Sequence, residues 1–220
     1  MKKIKNRLDN QQFSEIIQAL IKFRSENTTI KIGDVSWEEL IWATLVFMFG
    51  KDDVGWKSAS HEKSVDIRVK IGGKPLKISA KGGKIDNGML ILSSYRLTTF
   101  NNLNEKLKFI RNQHSNFNFY FICAKEIKDE NIIYHIIKVP SKRLAPSWLT
   151  KTDNWTKTKN AYELKKGFGF SAKIVYKMSN QLWYSIPINY FLPEERLTTV
   201  SILFSDLGKG LMSFLEKKFN

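Results

Sequence analysis

Two short alternating runs separated by Gly72–Gly73 are the feature that most constrains how this chain can fold. Before the glycines, apolar β-branched side chains alternate with polar ones up to Ile71, and the alternation resumes at Leu76 and Ile78. Two such runs joined by two glycines predict a β-hairpin with a two-residue turn. In that hairpin Ile71 faces Lys74, and the register of the remaining residues follows from this pair.

In the predicted register, one face of the hairpin is polar and carries side chains that can take part in catalysis. It places Asp66 directly across from Ser79, with Lys81 two residues further along on the same face. A carboxylate can hold a hard cation such as Mg²⁺ through oxygen, and the cation polarises a phosphate and lowers the pKa of a bound water. An ammonium group can orient that water and offset charge on phosphorus. The alternative interpretation is an Asp and a Lys on a solvated sheet face without a catalytic role.

The residues Asp66, a turn, and then Ser79-Ala80-Lys81 resemble the core motif of the PD-(D/E)XK nuclease superfamily, in a form found in type II restriction endonucleases. The resemblance implies an α/β (α+β) fold with a mixed central β-sheet flanked by helices, and Mg²⁺ as cofactor. It also implies that Asp66 and the Ala80 carbonyl bind the metal, while Ser79 and Lys81 belong to the catalytic group. Two departures are Val65 where the family has Pro, and Ser79 where it has a second carboxylate.

The missing carboxylate directs attention to the helix before the hairpin, from which some restriction enzymes recruit a Glu. Ser36 and Glu39 are spaced as a capping box at the start of a helix that runs to Gly50. Glu39 therefore has a capping role available, whereas Glu38 points toward the core side. We predict Glu38 as the additional metal ligand. The alternative is that both acids only complement the helix dipole.

The polar stretch KDDVGWKSASHEKS between helix and hairpin holds two further candidates. Glu62 is a second candidate for the missing carboxylate. His61 is a candidate for contacting a phosphate or relaying a proton. A lone histidine in a polar loop is more often incidental, so the sequence leaves its role open.

The charge balance points to a polyanionic partner. The chain has 36 Lys and Arg against 21 Asp and Glu, a net charge of +15, which predicts binding to nucleic acid and, with the nuclease resemblance, to double-stranded DNA. We expect a cytoplasmic protein without membrane contact, because no apolar run of membrane-spanning length and no signal peptide is present. The single Cys123 lies in an apolar run, which predicts a buried thiol.

Several other elements follow from periodicity and composition. The segment 93–96, Ser-Ser-Tyr-Arg, precedes a predicted helix at 97–113 and resembles a stretch that restriction enzymes use against the DNA backbone. Hydroxyls and an Arg at a helix N-terminus are good phosphate ligands, so Ser94 and Arg96 are candidate DNA contacts, with helix capping as the alternative. Further predictions are an amphipathic helix at 10–26, buried central strands at 117–125 and 132–139, and a core or edge role for His135.

Residues 141–177 differ from the rest in composition. Nine Lys or Arg stand against Asp153 and Glu163, and aromatic residues are interleaved with them. We interpret this stretch as a basic DNA-contacting insertion after a catalytic core at 36–140. An ordinary solvated loop with aromatic anchors is the alternative. The candidate DNA contacts in this segment are Lys142, Arg143, Trp155, Lys157 and Lys159.

The chain ends with a predicted hairpin, AKIVYKM followed by QLWYSIPI, which Pro187 indicates to be at the sheet edge. A short amphipathic helix closes the chain, and the 220 residues form a single predicted domain. The predicted function is sequence-specific cleavage of double-stranded DNA by a Mg²⁺-dependent type II restriction endonuclease, acting as a homodimer. The alternatives are a repair or recombination nuclease of the same superfamily and a non-catalytic basic nucleic-acid-binding protein.

Overall fold

A computed structural model of the protein describes residues 7–56 and 65–219. Its helices are α1 (Asn10–Glu26), α2 (Asp34–Phe49), α3 (Leu103–His114) and α4 (Lys209–Phe219). Its strands are β1 (Val54–Trp56), β2 (Ile67–Ile71), β3 (Lys74–Asp86), β4 (Met89–Arg96), β5 (Phe119–Lys128), β6 (Asn131–Pro140), β7 (Trp155–Lys157), β8 (Ala161–Leu164), β9 (Ser171–Val175), β10 (Gln181–Pro187) and β11 (Arg196–Leu203).

All of these strands belong to one sheet, in the order β11-β6-β5-β3-β4-β10-β9-β8-β7, with β2 paired to β3 and β1 paired to β2. The pairing of β3 with β5 is parallel, and the other pairings are antiparallel. The parallel pair follows from the connection, because α3 carries the chain from β4 across one face of the sheet to β5. The predicted mixed sheet flanked by helices is confirmed.

Apolar side chains form two cores, one on each face of the sheet. On one face α1 and α2 bury side chains such as Phe13 and Trp37 against Ile78 and neighbouring strand residues. On the other face α3 buries Leu107 against strand residues that include Ile122. Because side chains alternate along a strand, β3, β5 and β6 contribute to both cores. Burial on both faces explains the nearly continuous apolar sequence of β5 and β6.

The local predictions are largely confirmed. α1 has the predicted bounds, and β2 and β3 pair with Ile71 opposite Lys74 and Ile67 opposite Ile78, which is the predicted register. The strands predicted at 117–125 and 132–139 correspond to β5 and β6, Cys123 is buried, and a helix closes the chain. The hairpin of β9 and β10 is present as well.

Three local predictions are wrong. The capping box fails because α2 begins at Asp34, so Ser36 lies inside the helix, where its hydroxyl accepts a hydrogen bond from Arg24. The helix expected at 97–113 begins only at Leu103, because Asn102 caps it by accepting a hydrogen bond from the Glu105 N–H. The β9–β10 hairpin is not at the sheet edge, since β10 pairs with both β9 and β4.

Pro187 is compatible with this interior position because it is the last residue of β10, where the absent N–H removes no further ladder bond. Five strands were not predicted: β1, which lies in the stretch interpreted as a loop; β4, which contains the residues interpreted as the lead-in to a helix; β7 and β8 in the basic segment; and β11, which pairs with β6. Within the described ranges, no helix has the length and apolar character needed to cross a membrane.

Candidate active site at a fork in the sheet

The middle of β3 lies at a fork between two strands. One edge of β3 pairs with β5 over residues 78–84. The other edge pairs first with β2, over 74–78, and then with β4, over 83–86. The stretch 79–82 between these ladders therefore faces a gap where β2 and β4 diverge. The predicted motif residues Ser79, Ala80 and Lys81 all lie in this gap.

Asp66 occupies the end of one arm of the fork. Its N–H donates to the Ile78 carbonyl at 2.9 Å, continuing the β2–β3 ladder by one residue. Its carboxylate Oδ2 then accepts the Ala80 N–H at 2.6 Å and the Ser79 hydroxyl at 3.1 Å. The carboxylate thus accepts a β3 backbone N–H at the point where the strands separate. This bond fixes the side chain against β3.

Lys81 completes the group. Its Nζ lies 4.0 Å from Asp66 Oδ2. The side chains of Lys81 and Asp66 are 27% and 15% exposed, so both can be reached from solvent, whereas Ser79 is fully buried. The predicted clustering of Asp66, Ser79 and Lys81 on one face is therefore present. The arrangement has one carboxylate, one hydroxyl and one ammonium group around the gap.

The Ala80 carbonyl is the remaining oxygen that the sequence assigns to this site. The N–H and C=O of one residue in an extended strand point to the same side of that strand. Because the Ala80 N–H donates to Asp66, its carbonyl is directed into the fork as well. Carboxylate and carbonyl oxygens are donors that suit Mg²⁺, which typically binds one or two carboxylates and keeps several waters.

The other arm of the fork is the C-terminal part of β4. After Leu92 this strand leaves β3 and continues along β10, where Arg96 pairs with Gln181. Ser94 and Arg96 therefore lie in a strand and not at a helix N-terminus, so that part of the prediction is wrong. Arg96 is exposed beside the gap, but the Ser94 hydroxyl is buried. Of the two candidate DNA contacts, only Arg96 presents its polar group to solvent.

Glu38 lies on α2, at the face of the sheet that carries Ile78 and Ala80. Its Oε2 accepts the Trp56 indole N–H at 3.3 Å. Trp56 pairs with Ile67, the residue after Asp66, so Glu38 is held one residue along the sheet from Asp66, on the face opposite to that of Ser79 and Lys81. Glu39 instead forms an exposed ion pair with Arg24. The two acids therefore do have different partners, although neither caps the helix through the predicted box.

Glu62, the other candidate for the missing carboxylate, and His61, the candidate for a phosphate contact or a proton relay, both belong to the stretch between helix and hairpin. His61 and Glu62 lie outside the described residues. Within 7–56 and 65–219, no group of three or more His, Cys, Asp or Glu side chains is arranged as a metal site. The described part of the fork therefore offers one fixed carboxylate, Asp66, and the second remains a matter of proposal.

A buried network that the sequence interpretation missed lies beside Ser79. Tyr120 neighbours Ser79 across the β3–β5 ladder. The Tyr120 hydroxyl is 3.1 Å from His114 Nε2 and 3.2 Å from the Tyr95 hydroxyl, and His114 Nδ1 is 2.9 Å from the Ile110 carbonyl. Burial raises the pKa of Tyr120 and lowers the pKa of His114 to about 4, so the network is neutral near pH 7.

The basic segment 141–177 is ordered into β7, β8 and β9 and their connections, and two of its predicted DNA contacts have partners within the protein. Trp155 is buried and its indole N–H donates to the Leu149 carbonyl at 2.7 Å. Arg143 lies 3.2 Å from Glu195 and donates to the Tyr190 carbonyl. The interpretation of Trp155 is wrong, because core formation uses its side chain, whereas the Arg143 side chain is 31% exposed and its DNA contact stays a prediction. The candidates with exposed side chains are Lys142, Lys157 and Lys159.

His135 has the satisfied role that the sequence favoured. Its Nε2 lies 2.7 Å from Glu126 on the neighbouring strand β5, well away from the fork along the sheet. The pair is partly exposed and belongs to the surface of the β5–β6 ladder.

Comparison with models of known protein families finds no match, and neither does comparison with curated proteins. Among solved structures, the chain is similar to one described as a restriction endonuclease in complex with substrate DNA. The identity is 14%, the match covers 81% of this chain and 83% of that chain, and the TM-score is 0.35. A likeness this distant leaves the functional interpretation to the geometry of the fork.

Proposed function

We propose that the fork is the active site of a Mg²⁺-dependent endonuclease that cleaves double-stranded DNA, in the manner of a type II restriction enzyme. The observation that carries the proposal is the position of Asp66 and Lys81. A carboxylate that is fixed by a backbone N–H stands 4.0 Å from an accessible ammonium group, at the point where the sheet splits. A carboxylate and an ammonium group on a merely solvated sheet face need no such break in the ladder.

Each residue has a separate role in this proposal. Asp66 and the Ala80 carbonyl would hold Mg²⁺, with Glu38 or Glu62 as the second carboxylate; a Mg²⁺ bound there would polarise the phosphate and acidify a bound water. Ser79 fixes the Asp66 carboxylate through its hydroxyl. Lys81 orients the attacking water and stabilises the charge that develops on the phosphate oxygens.

The surrounding charge supports DNA as the substrate. The net charge of +15 favours a polyanion. Arg96 on the other arm of the fork, and Lys142, Lys157 and Lys159 in the basic segment, are the exposed cations we assign to backbone contacts. A non-catalytic DNA-binding protein is the second candidate, because Ser79 replaces an acid. A nuclease that recognises DNA shape is a variant of the first.

A digest of long DNA of diverse sequence tests the proposal. The purified protein is incubated with Mg²⁺ or with EDTA, and the ends of the products are sequenced. Discrete metal-dependent fragments with one shared flanking sequence are the expected result. Metal-dependent smearing would indicate a nuclease without sequence preference. DNA that is retarded on a gel but not cut would overturn the catalytic assignment.

The identity of the second carboxylate has its own test. We expect Glu38→Ala to reduce the Mg²⁺-dependent rate far more than Glu39→Ala, which removes a neighbouring charge from the same helix. The apparent Mg²⁺ affinity should fall in the first variant only, because Glu38 is hydrogen-bonded to Trp56, which pairs with the residue after Asp66, whereas Glu39 is paired with Arg24. If Glu62→Ala alone abolishes cleavage, the assignment to Glu38 is wrong.

A further inference from the structure

The face of the sheet that carries α1 and α2 is open over its other half. There α1 packs on β11, and α2 packs on β1, β2 and β3. Beside them a trough of about 750 Å³ opens over β4, β10, β9 and β8. Ile91, Val175 and Trp183 form a half-buried floor. Trp183 points into the trough because its neighbours in β10, Leu182 and Tyr184, are buried in the core on the opposite face.

The rim of the trough is basic. Lys84, Lys166 and Lys173 line it with exposed side chains. Lys84 also pairs in register with Lys125 on β5, so two like charges lie side by side on one face. Such a pair destabilises a sheet slightly and is unfavourable without a bound anion. Glu163, opposite Lys173 on β8, is the acidic residue of the lining. The excess of lysines over acidic residues in the lining of the trough favours a polyanionic ligand.

The spacing of these cations suits a DNA duplex. Lys84 on β3 and Lys173 on β9 are separated by β4 and β10, and three strand spacings correspond to roughly 14 Å. The major groove of B-DNA is about 12 Å wide. Lysines at the two sides of the trough can therefore contact phosphates of both DNA strands, while Trp183, which pairs with Lys173 across β10 and β9, faces the groove between them.

We propose that this basic trough, lined by Lys84, Lys166, Lys173 and Trp183 with Lys125 beside Lys84, is a second DNA-binding surface that holds duplex DNA without a metal ion. It goes beyond the proposed cleavage site, because the two surfaces lie on opposite faces of β3. Lys84 shares the face of Ile78 and Ala80, whereas Lys81 projects from the other face, as alternation along the strand requires.

The test measures DNA affinity separately from cleavage. The Lys81→Ala variant, in EDTA, serves as the background, and a fluorescently labelled duplex is titrated at several salt concentrations. Lys84→Gln with Lys173→Gln removes one charge from each side of the trough. The matched control is Lys217→Gln with Lys218→Gln on α4, which removes the same charge from an exposed site away from the trough. Thermal unfolding checks that all variants are folded.

We expect the trough variant to bind the duplex at least about tenfold more weakly at low salt. The slope of the logarithm of the binding constant against the logarithm of the salt concentration, here called the salt slope, should fall in magnitude by about 1.8, since each of the two lost phosphate contacts contributes about 0.9. The control pair should leave both quantities unchanged. Equal losses in both pairs, or no loss in either, would overturn the proposal. Trough-dependent binding without Mg²⁺-dependent cleavage by the native chain would support the trough and refute the nuclease. Mg²⁺-dependent cleavage by the native chain together with an unaffected salt slope in the trough variant would support the nuclease and refute the trough.

Discussion

Within the described part of the fork, the Lys81 ammonium is the one positive charge paired with Asp66, with Nζ 4.0 Å from Oδ2. We expect Lys81→Ala to lower the rate of Mg²⁺-dependent DNA cleavage by about 100-fold or more, the usual cost of losing a group that stabilises transition-state charge. DNA affinity should change little, because one phosphate contact among many is lost. Single-turnover cleavage and gel-shift titration measure the two effects.

The matched control for this prediction is Lys70→Ala. Lys70 is an exposed lysine on β2 of the same hairpin, so its removal tests the effect of net charge alone. We expect it to retain cleavage. A parallel loss of binding and cleavage in Lys81→Ala would contradict the catalytic role and indicate a DNA contact.

Ser79 shows why a neutral residue suits this position. It is fully buried, lies beside Tyr120 across the β3–β5 ladder and donates to Asp66. A second carboxylate at this place would be desolvated and adjacent to a like charge, and both effects disfavour its ionised form. The sequence could predict that Ser79 faces Asp66, because the register is local. It could not predict the burial, which depends on Tyr120 from a distant strand.

At the scale of elements, the β2–β3 turn sets the geometry of the fork. Gly72 and Gly73 have φ values of +56° and +78°, a conformation that costs a residue with a Cβ roughly 1–2 kcal/mol. We expect Gly73→Ala to lower the free energy of unfolding by about that amount, measured by urea denaturation. Gly55→Ala in β1 is the control, because Gly55 has no atom near its added Cβ and no positive φ. Equal effects would contradict the role of the turn.

The contact between His114 on α3 and Tyr120 on β5 predicts that the free energy of unfolding depends on pH. His114 is buried with its pKa lowered to about 4 from an ordinary value of about 6.5. The unfolded chain therefore binds the proton more readily between these values, and stability should fall as the pH falls from about 6.5 to about 4. The difference corresponds to roughly 3 kcal/mol. Below about pH 4 this contribution should change no further.

His114→Gln isolates this contribution, since it removes the titration and keeps a polar side chain near Tyr120. The free energy of unfolding is measured for both proteins from pH 7 to pH 4. The difference between native protein and variant should shift by roughly 3 kcal/mol over that range, in favour of the variant at low pH. A difference that is constant with pH would show that another group accounts for the acid sensitivity.

Helix starts and strand partners show where sequence patterns lose information at this scale. Leu97 and Phe100 have helical spacing relative to Leu107, but they belong to the connection after β4, where the Lys106 ammonium donates to the Leu97 and Phe100 carbonyls. The spacing of these apolar residues reflects the burial of their side chains and does not show that they form a helix. Similarly, Pro187 indicated an edge strand, although its place at the end of β10 makes its missing N–H harmless.

At the scale of the whole molecule, the fork itself could not be predicted from the sequence. It exists because β4 leaves β3 after Leu92 and continues along β10, whose partner residues begin at Gln181. No local pattern encodes a pairing over such a separation. The same applies to Trp155 and Arg143, whose basic and aromatic surroundings resembled a DNA-binding loop. The burial of Trp155 and the ion pair of Arg143 with Glu195 depend on contacts that only the assembled sheet provides.

The symmetry of duplex DNA gives the last prediction. If the fork is the proposed nuclease site, one fork cuts one strand, and breakage of both strands at a palindromic site requires two copies of the chain related by a two-fold axis. We expect supercoiled plasmid with one site to become linear directly, with little nicked circle, when the native protein is in excess. Mixing the native chain with excess Lys81→Ala should then accumulate nicked circles, because most native chains are in dimers whose other fork is inactive. If nicked circles accumulate first with the native protein alone, or if the mixture still gives linear DNA at the native rate, the chain acts as a monomer.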